Sequence, residues 1–254
     1  MGNEFYKNSW GFHNQTIGGN HDFELYRYNR VLKSCLDTEL QNRVPINWNI
    51  LNMLNVKYLI SKDKINVDNL EYAFYDLEQK LIIYKNINYL PRAWFVDKVE
   101  YWEDEKDIIK QLNSRDFDPA EYALVETPLN NLEKPSNAIV KFDSLNSDLI
   151  RISTSNDSTS LLVIGEIFYS GNSSWKAYLD GTNIPLYPVN YILRGVVVPA
   201  GNHEILLKYE LEELLVLNKI NLLAIILTLL FIVLGIYKYI RTNYRGEIVY
   251  VIKK

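Results

Sequence analysis

Cysteine is almost absent: the 254 residues contain one, Cys35. That excludes an intramolecular disulfide framework and every CxxC zinc or redox motif. Histidine is scarce as well. His13, His21 and His203 show no ligand spacing, which argues against a histidine metal site. Basic charge is not in excess, since the formal net charge is −4, and a strongly basic nucleic-acid binder is excluded. Gly18-Gly19 before His21 is too short for a phosphate-cradling loop, and there is no Walker pattern. No Ser/His/Asp or Cys/His arrangement for a nucleophile stands out, and no repeat period or low-complexity tract interrupts the chain. The averages are 48% hydrophobic and 23% charged, with a mean hydropathy of −0.15. They describe an ordinary globular chain of one or two domains.

The hydrophobicity is unevenly spread. Residues 220–236 read INLLAIILTLLFIVLGI, interrupted only by Asn221, Thr228 and Gly235. Residues 217–237 form a helix of roughly 31 Å at ~1.5 Å per residue, matching a bilayer core of about 30 Å. No polar stripe of the kind a core helix shows is visible, so the segment reads as a transmembrane helix. After it come Lys238, Arg241, Arg245, Lys253 and Lys254 against the single acid Glu247, so this tail carries +4 and the remainder −8. Glu210, Glu212 and Glu213 stand just before it, with Lys219 close enough to snorkel. The charge asymmetry predicts a cytoplasmic tail and a large acidic portion outside the membrane. Tyr237, Tyr239 and Tyr244 suit the headgroup level.

The start, MGNEFYKNSWGFHNQ, has neither a basic n-region nor an apolar h-region to export that portion. The expectation that resolves this is a chain forming the C-terminal part of a larger polytopic membrane protein.

Ahead of the span, Phe23, Leu25/Tyr26, Val31/Leu32 and Leu36 predict a helix over 22–42. A short helix at 50–54 feeds an apolar strand at 56–61, and strands are expected at 72–75, 81–84 and 93–99. Residues 104–112 predict a helix with acids in its first turn, where the helix dipole favours them. That makes the acidic run 100–107 a solvated helix start rather than a catalytic carboxylate pair. Beyond Pro135, strands are expected at 138–142, 149–154, 161–168, 175–179, 184–188, 195–198 and 204–209. Asp180-Gly181 is a type I′ hairpin signal, since both turn positions need positive φ. The expected fold is α+β: a mixed outer region (1–135), an antiparallel, jelly-roll-like β-sandwich (136–213), one transmembrane helix (214–240) and a basic tail (241–254).

Four stretches resemble a known family. Gly18-Gly19-Asn20-His21, followed by Tyr26-Arg27-Tyr28, is similar to GGYH…RYQ. Residues 50–58 (ILNMLNVKY) resemble an LNMLNVKY signature. LPRAWFV at 90–96 and FDP at 117–119 resemble LPRAFFV and FDP. WKAYLDG at 175–181, then Asn190, Arg194-Gly195-Val196 and VPAGNH at 198–203, resemble WKAYVDG…RGVxVPAGxH. These are stretches of the C-terminal portion of the YfhO family of bacterial polytopic membrane proteins, and the resemblance covers nearly the whole chain. Asn20 in place of Tyr and the inserted residues 171–174 are departures. The resemblance implies a GT-C-type glycosyltransferase of the cell envelope that uses a polyprenyl-phosphate sugar. Its catalytic membrane core, with an acid in the first outer loop, precedes the region represented here. It also implies no cofactor in this chain, and as partners the bilayer, that upstream core and envelope glycans, with no nucleic acid. The place implied is the bacterial cytoplasmic membrane. A non-catalytic carbohydrate-binding or assembly module is the alternative.

Sugars are held by aromatic faces and a few hydrogen-bonding groups, so the candidate glycan contacts are Trp175, Tyr178, Asp180, Tyr191 and Arg194. Trp175 and Tyr178 sit on opposite strand faces, so at least one is expected in the core. Asp180 is accounted for by its turn, and Arg194 by burial against a carboxylate such as Glu166. His21 with Arg27 is a further polar pair, and no catalytic or metal-binding residue is expected. The triplets at Asn14, Asn156 and Asn172 fit the N-glycosylation pattern, which in the bacterial protein that the resemblance implies usually means nothing.

Overall fold

The computed structural model describes residues 17, 25–37, 46–168, 175–210 and 212–251. The chain divides into two compact units, Met1–Lys208 and Tyr209–Lys254.

The first unit is mixed α+β. Helix α1 (Tyr26–Leu32) starts after the extended Leu25 and runs into a π-helical turn, Lys33–Asp37, and the two ends of the expected helix over 22–42 lie outside the described residues. Helix α2 (Trp48–Met53) is capped by Asn47, whose side chain accepts the Ile50 N–H at 3.3 Å. Strands β1 (Tyr58–Ser61), β2 (Leu70–Asp76) and β3 (Leu81–Asn86) make a three-stranded antiparallel sheet, ordered β1-β3-β2. Helix α3 (Glu105–Leu112) starts at Asp104, whose carboxylate accepts the Lys106 N–H at 2.6 Å. Its apolar side, Ile108, Ile109 and Leu112, is buried.

Strands β4 (Ala93–Phe95), β5 (Lys98–Tyr101), β6 (Tyr122–Val125), β9 (Ser160–Ile167), β12 (Tyr187–Val189) and β13 (Leu193–Val198) form a mixed sheet, ordered β4-β9-β13-β12-β6-β5. The expected single strand over 93–99 is two. Its first half pairs antiparallel with β9 and its second half parallel with β6. Only Val96 and Asp97 separate these halves, a reach of about 11 Å, whereas five spacings of a flat sheet need roughly 24 Å. The sheet therefore curls back until its two ends meet at this kinked strand.

Strands β7 (Ala138–Leu145), β8 (Leu149–Asn156), β10 (Trp175–Leu179), β11 (Thr182–Ile184) and β14 (Gly201–Tyr209) form an antiparallel sheet ordered β11-β10-β14-β8-β7. The expected strand over 184–188 is also divided, with β11 in one sheet and β12 in the other. Pro185, which has no N–H for a ladder, stands at the crossing. One apolar cluster joins the two sheets: Ile150, Ile152, Ala177, Ile205 and Leu207 from the five-stranded sheet meet Ala93, Leu162, Ile164, Val196 and Val198 from the other. The alternate residues of β9 and β13 (Leu161, Val163, Leu193) pack instead with Val31, Ile50, Met53, Ile108 and Leu112 of the helices. The mixed sheet thus takes β4, β5 and β6 from before residue 135 and β9, β12 and β13 from after it. A division at 135 runs through a shared sheet and does not separate folding units. The strand β6 has no counterpart among the expected elements.

The second unit is helix α4 (Glu212–Val251). Its stretch Lys219–Thr242 is long and apolar enough to cross a membrane and is wholly exposed. The Thr228 hydroxyl donates to the Ala224 carbonyl at 2.8 Å, which satisfies it without water.

Candidate functional site

A cleft of about 550 Å³ opens where the β10–β11 hairpin leaves the five-stranded sheet, within the usual range of ligand sites. Ala177 pairs with Ile184 and Tyr178 with Asn183, so the register sets residues 175–178 beside 183–186 at the open end of the hairpin. Trp175, Tyr178, Lys176, Asn183, Phe168 and Leu186 contribute to its lining. Trp175 and Tyr178 are on opposite strand faces as expected, with Ala177 buried between them. Trp175 packs against the inter-sheet cluster, and both residues line the cleft.

Behind Trp175 lies a charged group. The Arg194 guanidinium stacks on the indole at 4.1 Å, and its Nε donates to the Ile167 carbonyl at 3.1 Å. Arg92 Nη1 donates to Glu166 Oε1 at 3.0 Å. A bulge in the β9–β13 pairing gives Glu166 this position: Leu193 pairs with Ile167, but Arg194 pairs with Ile164, so Gly165 and Glu166 are extra. Burial pushes the Glu166 carboxyl above its ordinary range, opposed by the charges of Arg92 and Arg194.

The other expected site residues lie elsewhere. Asp180 (φ 49°) and Gly181 (φ 82°) form the left-handed hairpin turn. The Asp180 carboxylate takes the Glu204 N–H at 2.9 Å and meets His203 Nδ1 at 2.6 Å. The His203 hydrogen bond, then that of the Glu204 N–H, lowers the Asp180 pKa. Tyr191 is buried, and its ring lies 4.7 Å below the Arg27 guanidinium. Arg27 forms an ion pair with Glu126, and Arg30 Nη1 contacts Glu105 Oε2 at 2.8 Å. The Tyr191 hydroxyl donates to that same Glu105 oxygen at 3.0 Å. Glu105, an acid in the first turn of α3 that is still 43% exposed, thus also bonds residues distant in the sequence. Two of the expected residues, Arg27 and Tyr191, meet there. His21 lies outside the described residues.

Two of the four stretches that carry the family resemblance, 50–58 and the pair 90–96 with 117–119, converge. Asn55 Nδ2 bonds the Leu90 carbonyl, Trp94 Nε1 donates to the Pro119 carbonyl at 2.9 Å, and Asn49 Nδ2 bonds the Phe117 carbonyl. Buried Asn52 accepts from Asn86 Nδ2 at 2.8 Å and offers its backbone carbonyl to the Leu90 N–H at 3.1 Å. These side chains fasten backbone, which gives them a structural role. Sequence reading missed Lys176, Asn183 and Phe168 in the cleft. The strand alternation through Trp175 and the Asp180-Gly181 register could have found the first two, whereas Phe168 depends on the sheet pairing.

Fold and cleft together define a mixed α+β domain with an aromatic cleft, continued by an apolar helix of membrane-spanning length. No family model matches the chain, and neither a characterised protein nor a solved structure does.

Proposed function

We propose that the chain is the extracytoplasmic domain and last membrane helix of a YfhO-type envelope glycosyltransferase that draws its sugar from a polyprenyl phosphate. On this reading the jelly-roll-like sandwich faces the glycan. The acidic portion lies outside the cytoplasmic membrane, the basic tail lies inside, and the upstream membrane core supplies the chemistry. The observation that carries the reading is the cleft. Trp175 and Tyr178 provide flat apolar surfaces there, beside the hydrogen-bonding groups of Lys176 and Asn183, which is the combination that holds a sugar ring. The four family-like stretches and the apolar helix support it.

The chain alone binds glycan and transfers no sugar. Full chain in lipid nanodiscs, titrated with purified cell-envelope polysaccharide, should lose binding about tenfold or more on Trp175→Ala or Tyr178→Ala, as buried aromatic anchors do. Unchanged binding in both folded variants overturns the reading. So does sugar transfer by this chain from a polyprenyl-linked donor.

The same cleft would also serve a second reading, a non-catalytic carbohydrate-binding or assembly module. The reading frame upstream of Met1 separates the two. Further membrane spans with an acid in an outer loop support the enzyme, and their absence supports the module.

A further inference from the structure

Arg194 is a polar side chain in an apolar layer. It alternates with Val196 and Val198 on the face of β13 that packs against the other sheet, and it is 3% exposed. A charge there needs partners, because burial without them is costly. Its partners include the Ile167 carbonyl on Nε, the indole of Trp175 beside the guanidinium, and the field of Glu166. Glu166 in turn is fixed by Arg92 and by a bulge in which space at Gly165 is tight. A Cβ on Gly165 would stand 3.3 Å from the Arg92 carbonyl, to which the Gly165 N–H donates at 2.8 Å. The group therefore fixes a flat cation rather than a contact surface. Being buried, that cation cannot reach a ligand in the cleft. It touches Trp175, which does line the cleft.

We propose that Arg194 is a positioning residue that holds the Trp175 indole in one orientation, so that its remaining surface stacks on a saccharide ring in the cleft. The proposal rests on the glycan-binding reading above. With the guanidinium on the indole and the inter-sheet cluster packed against the residue, what the side chain offers a ligand is the part that lines the cleft. Holding the ring in advance removes the ordering cost that a mobile aromatic meets on binding. The ring-shaped ligand that fits such a plane is a pyranose with equatorial substituents, whose C–H groups make a flat apolar side.

The five tryptophans are Trp10, Trp48, Trp94, Trp102 and Trp175. Full chain labelled with 5-fluorotryptophan in nanodiscs gives one ¹⁹F resonance for each, and Trp175→Phe identifies its own. Added cellotetraose should move the Trp175 resonance. Arg194→Met should broaden or shift that resonance without ligand and weaken cellotetraose binding about tenfold, the scale of a desolvated cation–π contact. The Trp48 and Trp94 resonances, from the helix–sheet core, should stay in place and show that the fold survives. Arg194→Lys keeps the charge but loses the flat stack, and should fall between the two. It is the deciding variant if Arg194→Met does not fold. If folded Arg194 variants leave both the resonance and the affinity unchanged while Trp175→Ala abolishes binding, Arg194 has no positioning role and the glycan reading stands. If wild type does not bind cellotetraose, or Trp175→Ala binds it normally, this proposal falls, while the glycan reading stands or falls separately on binding of the envelope polysaccharide.

Discussion

The Arg27 guanidinium lies 4.7 Å from the centroid of the Tyr191 ring and donates to the Tyr191 carbonyl at 3.2 Å, across 164 residues of sequence. Tyr191 itself sits at φ 68°, a left-handed conformation that an L-residue adopts only where its surroundings impose it. Here they do. The ring is buried, its hydroxyl bonds Glu105, and both its face and its carbonyl are taken by α1. The cluster fastens α1 and α3 to the turn between β12 and β13.

Tyr191→Phe keeps the ring and loses the bond to Glu105, so it should cost about 1 kcal/mol. Tyr191→Ala loses the buried ring and keeps an unfavourable φ, and should cost about 3–5 kcal/mol. Thermal unfolding of the full chain in nanodiscs, followed by near-ultraviolet circular dichroism, measures both. Equal losses would show that the hydroxyl, not the buried ring, matters.

Asn190 precedes it at φ 48° and is fully buried. Its side-chain oxygen accepts the Leu124 N–H at 2.8 Å and its own N–H donates to the Leu124 carbonyl at 2.8 Å. Asn190→Ala orphans a buried N–H and worsens the backbone, for a loss of about 2–4 kcal/mol. Asn190→Gly relieves only the backbone and should recover roughly 1 kcal/mol of it. The same unfolding experiment ranks them. Glycine no better than alanine would contradict the backbone argument.

Gly195 is required by space rather than by φ. A Cβ there would stand 2.4 Å from Val189 Cγ2, on the neighbouring strand. Gly195→Ala should cost about 1–3 kcal/mol, the range for overpacking. Val189→Ala should restore part of that loss in the double variant, giving a coupling well above ~0.5 kcal/mol. Simple additivity would rule out the clash.

Much of this architecture is legible in the sequence, but unevenly. The 104–112 helix and the 180–181 turn are written in local chemistry, a capping acid and two residues tolerant of positive φ. The apolar run that becomes Lys219–Thr242 needs only counting. The kink between β4 and β5 is not local, because nothing in the alternation of 93–99 says that its halves pair with different strands. Strand β6, flanked by FDP and a proline-containing loop, is too short to read before its partners are known. The same holds for the site. Trp175 and Tyr178 announce themselves as aromatics, but the contact of Arg194 with Trp175 depends on two sheets facing each other. The sequence places Arg194 against a carboxylate such as Glu166. It does lie within Glu166's field, but the direct bond goes to Arg92.

Glu166 also predicts a pH dependence. Burial raises its folded pKa above the ordinary carboxyl value, and Arg92 and Arg194 offset this only in part. The folded state therefore holds the proton more tightly than the unfolded chain does. This contribution to stability is complete below the unfolded pKa of about 4.3 and is lost as pH rises through the folded value. Relative to Glu166→Gln, wild-type stability should decline as pH rises across that window. A difference that grows with pH instead would mean that the arginines outweigh burial.

The whole functional reading depends on which side of the membrane the acidic domain occupies. Cys35, the one native cysteine, is buried, so it gives little background to a membrane-impermeant maleimide. Ser147→Cys, at an exposed position between β7 and β8, and Lys253→Cys, in the basic tail, report the two sides separately. In intact bacterial cells expressing the chain together with its upstream reading frame, Ser147→Cys should label at once and Lys253→Cys only after lysis. Labelling of the tail in intact cells, with the domain protected, would contradict an extracytoplasmic glycan-facing domain outright.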